Sequence, residues 1–233
     1  MMLFTGMTLF AAAQQEVVND PNVELRTVTG SFTSIKVYDD IDLFLSQGSE
    51  EAVAVSADDK KHRDAIKTEV VDGVLKVYYG ERIMINWKNR RLRAYVSFKN
   101  VEKITVSGAS DVMVSGVITV PSLYLNLSGS SDFKGAVQVT DLKMDLSGAS
   151  DITIKGIATK VEIESSGASD VKGAELVTDY CKANASGASD ITITVNKEIS
   201  ARASGSSDIL YKGNAEIKES HTSGSSTVEK KGG

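Results

Sequence analysis

The pentapeptide Ser-Gly-Ala-Ser-Asp starts at Ser107, Ser147, Ser166 and Ser186; Ser-Gly-Ser-Ser-Asp starts at Ser128 and Ser204, and Ser-Gly-Ser-Ser-Thr at Ser223. The glycines fall at 108, 129, 148, 167, 187, 205 and 224, so the steps are 21, 19, 19, 20, 18 and 19 residues. A period near twenty, held over seven copies, marks a solenoid. Its content says which kind. In "LYLNLSGSSDFKGAV" the apolar Leu123, Leu125 and Leu127 alternate before the motif and Phe133 follows it. No repeat holds a helix-length periodic stretch, which argues against helical and leucine-rich repeats. Each unit reads as strand, corner, strand and looser return, and units of that kind stack into an all-β parallel β-helix. At ~4.8 Å per coil, seven coils make a rod on the order of 30 Å long.

The motif suits a corner. Ser, Gly and Ala are small enough to stack at that spacing, and Gly supplies a positive φ where the path turns. Asp at a turn can accept a backbone N–H two residues on. Stacking places Asp111, Asp132, Asp151, Asp170, Asp190 and Asp208 in one column. Carboxylates so spaced repel by roughly 3 kcal/mol at an effective dielectric of about 20. Backbone N–H groups, Ser hydroxyls or cations must offset this. Calcium takes oxygen ligands, but the nonapeptide calcium pattern is absent and the period is wrong for it. The expectation is a structural corner column with no metal and no cofactor.

Before the repeats, residues 23–106 read as a strand-rich N-terminal section that caps the solenoid repeats of residues 107–228. "FTSIKVYDDIDLFLSQGS" and "EAVAVSAD" alternate with period two, and Asp72-Gly73 is a hairpin signal between β-formers. Only Asp58–Lys67 has room for a helical turn. Residues 1–13 end in Ala-Ala-Ala after an apolar run and resemble a signal peptide, although no basic residue precedes the run. The run is too short to span a bilayer, and no later stretch is long and apolar enough to do so. Trp87, Lys88, Arg90, Arg91 and Arg93 form one basic patch. It reads either as a solvated hairpin tip or as a loop for an anionic ligand, and is the candidate ligand-binding site.

Several functions are excluded or disfavoured. A net charge of −5 gives no field for nucleic acid. The single cysteine, Cys181, allows no internal disulfide and no multi-cysteine metal site. Catalysis by a β-helix needs unlike carboxylates or a base poised against one, whereas these Asp residues repeat a single environment. No nucleophile elbow or phosphate loop occurs.

The "SGASD" corners with following Val or Ile, together with "FTSIKVYDDIDLFLSQGSEEAVAVSADD", resemble the "putative auto-transporter adhesin, head GIN domain" family of secreted and envelope proteins of Bacteroidetes. The resemblance covers residues 23–228 as one domain. It implies a β-solenoid and a role in adhesion, and carries over no catalytic residue. The expectation is a non-catalytic exported protein of the periplasm, cell envelope or exterior. It would bind a surface ligand such as a glycan or an envelope protein, with homo-oligomers open to it. A β-helix carbohydrate-active enzyme and a purely structural or signalling envelope component are the alternatives.

Overall fold

The structure is a computed structural model and describes residues 20–80 and 91–232. The signal-like segment 1–13 and residues Trp87, Lys88 and Arg90 lie outside the described residues. Of the described residues 68% are strand and 3% helix, built as a parallel β-solenoid of about 7 turns with coils of about 19 residues.

The regular coils run through β9 (Asp111–Leu127), β10 (Asp132–Leu146), β11 (Asp151–Ser165), β12 (Val171–Ala185) and β13 (Asp190–Gly205). Each pairs in parallel with the next, starting from equivalent residues such as Asp132 and Asp151. A 15-residue strand inside a 19-residue coil cannot be straight. It bends where the alternation slips: Ala136 and Val137 are both buried, and Thr140 and Asp141 are both exposed. The looser return read from the sequence is therefore itself hydrogen-bonded strand, because these bends need no turn residue and leave the ladder intact. The unequal steps of the repeat have a place as well. Register shifts lie between Lys134 and Ala136, Thr153 and Lys155, and Gly173 and Val177, so extra residues bulge out near one bend.

The inward positions form continuous columns. Val112, Phe133, Ile152, Val171, Ile191 and Ile209 stack behind the Asp corner, and Leu123, Leu142, Val161, Cys181 and Ile199 stack on another side. Burial pushes the Cys181 thiol up to about 12, so it is an inert core residue. The core thins in the last coil, where β14 (Asp208–Lys212) is followed by β15 (Glu216–Gly224) and β16 (Thr227–Lys230) and Ile217 is exposed.

The N-terminal strands join the same 16-stranded sheet. β2 (Ser34–Val37) and β3 (Ile41–Gln47) make the first coil in the chain but not the end of the stack. It lies between a coil of β6 (Val74–Tyr79) with β7 (Leu92–Phe98) and one that begins with β8 (Lys103–Val106). Beyond β6 and β7 the sheet ends in antiparallel strands: β4 (Ala52–Ser56) on β7, β5 (Ile66–Val71) on β6, and β1 (Glu24–Arg26) on β4. Reversing strand direction closes this end of the rod. The turn of β5 into β6 holds Asp72 at φ 51° and Gly73 at φ 73°, the left-handed pair expected of Asp-Gly. The helical turn, α1 (Lys60–Ala65), starts where the Asp59 carboxylate accepts the His62 N–H at 2.8 Å.

Candidate functional site

Three outward features could carry function: the acidic column at the corner, a polar trough on one side of it and an apolar groove on the other. All three are consequences of stacking.

The corner works by three ladders. Each motif Gly has a positive φ, and its carbonyl accepts the N–H of the next coil's following residue, as in Ala149 to Gly129 at 2.8 Å and Ala168 to Gly148 at 2.8 Å. The Ser directly before each motif Asp turns inward. Ser110, Ser131, Ser150, Ser169, Ser189 and Ser207 are fully buried. Their hydroxyls accept N–H groups from the preceding coil, as in Ser150 N to Ser169 Oγ at 3.2 Å and Ser189 N to Ser207 Oγ at 3.2 Å. The Asp carboxylates run the other way. Asp42 Oδ1 accepts the Asp111 N–H (3.3 Å), Asp151 that of Asp170 (3.2 Å), Asp170 that of Asp190 (3.3 Å) and Asp190 that of Asp208 (3.2 Å). The carboxylates thus reach along the rod, not two residues onward as an Asx turn would.

The column is longer than the motif. Asp42 extends it by one coil, although the corner before it is Asp39-Asp40, held at φ 64° and 56° without any glycine. At the far end the Thr227 hydroxyl donates to Asp208 at 2.7 Å. At the near end Arg93 is the strand partner of Asp42 and offsets its charge. Arg93 also reaches Asp20 at 3.3 Å, and Tyr95 donates its hydroxyl to Asp20 at 3.1 Å. Of the basic patch, then, Arg93 sits in β7 heading the acidic column, and Arg91 lies just before β7 with φ 33°. Lys172 contacts Asp151 at 2.6 Å and Asp170 at 3.7 Å. Backbone N–H groups and these cations offset the carboxylate repulsion. Among the described residues no three His, Cys, Asp or Glu side chains come together as a metal-holding group.

Burial, and then the neighbouring Asp132, raise the Asp111 carboxyl above its ordinary value. The folded state therefore holds that proton to higher pH than the unfolded chain does. Ionised Asp111 opposes folding, and its contribution to stability falls as pH rises from about 3.8 through the raised value. Asp111→Asn keeps the acceptor for Asp132 and removes the charge. Its Tm should exceed that of the parent at pH 7, modestly because the site is exposed, and match it at pH 3. A variant less stable than the parent at pH 7 contradicts this reading.

The polar trough, about 820 Å³, runs along the rod beside the corner. One wall is the outward column Asn126, Asp145, Glu164, Asn184, Arg202 and His221, one residue per coil. The other wall is the row of first motif serines, including Ser147, Ser166, Ser186 and Ser204. Small inward residues, Ser165, Ala185 and Ala203, lie at its floor where earlier coils have Leu127 and Leu146. Within the wall Asn184 donates to Glu164 at 2.6 Å, while Arg202 turns to Glu219 outside it at 2.5 Å. Asp145 keeps one buried carboxylate oxygen without a hydrogen-bond donor. Periodicity gives these residues as an outward column, but no local signal says that this side is concave.

The apolar groove, about 970 Å³, lies at the bend where the coils vary in length. Met113, Val117, Ala136 and Ile154 line it, with Lys134, Lys155 and Lys172 around them.

The "Putative auto-transporter adhesin, head GIN domain" family profile matches residues 31–215. No curated protein matches the chain in sequence. Several crystal structures share the fold, among them the following three. A "putative adhesin" from Bacteroides fragilis is 19% identical with a TM-score of 0.83, covering 91% of this chain and 98% of that one. A "putative adhesin" from Parabacteroides distasonis is 20% identical with a TM-score of 0.70, covering 91% and 98%. A "putative lipid binding protein" from the same species is 19% identical with a TM-score of 0.69, covering 92% and 98%. The matched profile spans both the N-terminal coils and the repeats, and the chain belongs to the "Putative auto-transporter adhesin, head GIN domain" family.

Proposed function

We propose that this protein is an exported, non-catalytic adhesin that holds a surface polysaccharide in the polar trough. The observation that carries this is the trough wall. It offers one hydrogen-bonding side chain per coil over six coils, about 24 Å at ~4.8 Å per step, facing a parallel row of Ser corners. Carboxylates accept from sugar hydroxyls, amides both donate and accept, and Arg202 donates. Acids and bases are mixed, so the wall selects no single charge. It also lacks the buried aromatic and apolar anchors that dominate protein–protein interfaces. A flexible polyhydroxyl chain lying along the rod fits it, and repetition lets weak single contacts add through multivalency.

Membership of an adhesin family and the likeness to adhesin folds support export and surface work. Among the described residues no helix is long and apolar enough to cross a membrane. The signal-like residues 1–13 would direct export. Arg91, together with Trp87, Lys88 and Arg90, is proposed as an accessory contact for acidic groups, while Arg93 serves the head of the acidic column.

The catalytic alternative is disfavoured by the corner itself. Asp151, Asp170, Asp190 and Asp208 all spend a carboxylate oxygen on a backbone N–H or a hydroxyl of the next coil, and Lys172 is held between the first two, so these acids serve the corner rather than standing against an unlike carboxylate.

The test is retention of purified protein on capsular polysaccharides, mucin glycans and heparin. Glu164→Ala/Asn184→Ala should weaken retention roughly tenfold, as expected for losing about two net hydrogen bonds, with Tm held within a few degrees. Unchanged retention by the double variant, or no retention of the parent on any surface, defeats the proposal.

A further inference from the structure

We infer that the apolar groove between Met113 and Thr192 is a second binding site, which takes a single acyl chain ending in an anionic head. It shares no lining residue with the trough.

Three observations carry this. First, the groove sits where the repeat is irregular. The Gly and Ser ladders fix the corner, but at the groove three residues, Val114 to Gly116, face the single Gly135, and the register slips again by Ala174. The bulges build a concave wall that the regular repeat lacks. Second, apolar surface is left open in it: Met113 is 42% exposed and Val117 48% exposed, while Ala136 and Ile154 form the floor. At about 970 Å³ it has the volume of a small-molecule site, and it has the character of one, mostly apolar with a few polar groups that fix orientation. Third, the cations are unevenly used. Lys172 is held by Asp151 and Asp170. Lys134 and Lys155 make no hydrogen bond or ion pair among the described residues, although each projects at the edge of the apolar floor. Glu175, the cross-strand neighbour of Lys155 but forming no ion pair with it, is the lone carboxylate among the described lining residues.

An apolar floor with two unpaired ammonium groups is complementary to a ligand that is apolar along its length and negative at one end. The chain would cover Met113, Val117 and Ile154, and a carboxylate or phosphate head would meet Lys134 and Lys155. A neutral alcohol of the same length gains the floor alone. A cationic head meets repulsion.

The experiment is calorimetric titration of the full chain with dodecanoate, dodecyl phosphate, dodecanol and dodecyltrimethylammonium, all below their micelle concentrations. Flotation with phosphatidylglycerol vesicles separates a membrane source of the head from a free fatty acid. Both anions should bind, the alcohol roughly tenfold more weakly, and the cation not measurably. Lys134→Gln/Lys155→Gln should bring dodecanoate to the affinity of the alcohol, and Met113→Asp should abolish both. All of these positions are exposed or half-exposed, so the Tm of each variant should stay near that of the parent. Flotation without binding of free dodecanoate assigns the groove to a membrane surface and overturns the single-chain site, as does equal affinity for all four heads or dodecanoate affinity unchanged in the lysine variant. The glycan retention of these variants should equal that of the parent. Loss at the groove and loss at the trough are thus read separately.

Discussion

Gly148→Ala destabilises the protein by about 2–5 kcal/mol, whereas Gly116→Ala costs only about 1–2 kcal/mol. Both glycines have φ near +80° (+83° and +80°), so both substitutions carry the same left-handed backbone penalty. They differ in what the new methyl meets. At Gly148 a Cβ would sit 2.4 Å from the Gly129 carbonyl oxygen, with the Gly129 nitrogen at 3.1 Å; at Gly116 nothing lies within 4 Å. Backbone cannot swing aside as a flexible side chain can. That carbonyl also accepts the Ala149 N–H at 2.8 Å, so relieving the clash stretches the ladder. Because each coil touches only its neighbours, amide exchange should rise first around the corners at Gly129, Gly148 and Gly167. Denaturant unfolding of the two variants gives the comparison. Equal losses would mean that corner stacking is not what requires glycine.

Phe133→Ala is expected to cost about 3–5 kcal/mol and to lower Tm by about 6–20 °C. Phe133 is 1% exposed and stands between Val112 and Ile152 in the column behind the Asp corner. The cost of such a cavity depends on how far its surroundings can collapse. Here the two neighbouring coils are held at fixed spacing by parallel ladders on every side, so little collapse is open to them. Ile152→Val in the same column should cost only about 0.5–1.5 kcal/mol. Thermal melts of the three proteins check the ranking. A small effect at Phe133 would mean that the coils can close on one another and that the ladders are softer than described.

The fold was largely legible because one physical requirement repeats. Close stacking at the corner tolerates only Gly, Ser and Ala, and that leaves "SGASD" in the letters. Where the same geometry is met differently, the letters fall silent. Asp39-Asp40 turns the first coil without glycine, so neither that coil nor Asp42 at the head of the column could be read as part of the repeat. The stacking order was hidden for a related reason. Nothing in β2 and β3 says that a later coil will lie between them and the antiparallel cap, because pairing partners over such distances leave no local pattern. Arg93 looked like one more charge in a basic patch, and only its register against Asp42 gives it a place. The candidate sites were the least legible part. The trough depends on small residues at Ser165, Ala185 and Ala203, and the groove on bulges. Both are departures from the repeat, visible only once the coils are stacked.

A solenoid that is an adhesin holds its polysaccharide without cutting it. The most direct measurement mixes the purified protein with a polysaccharide that retains it and follows bound protein and new chain ends together. Saturable binding with no reducing ends and no unsaturated sugars formed, weakened in Glu164→Ala/Asn184→Ala, is the expected result. Chain ends that accumulate with time, and that cease in any column or trough variant, would contradict it and make the rod an enzyme.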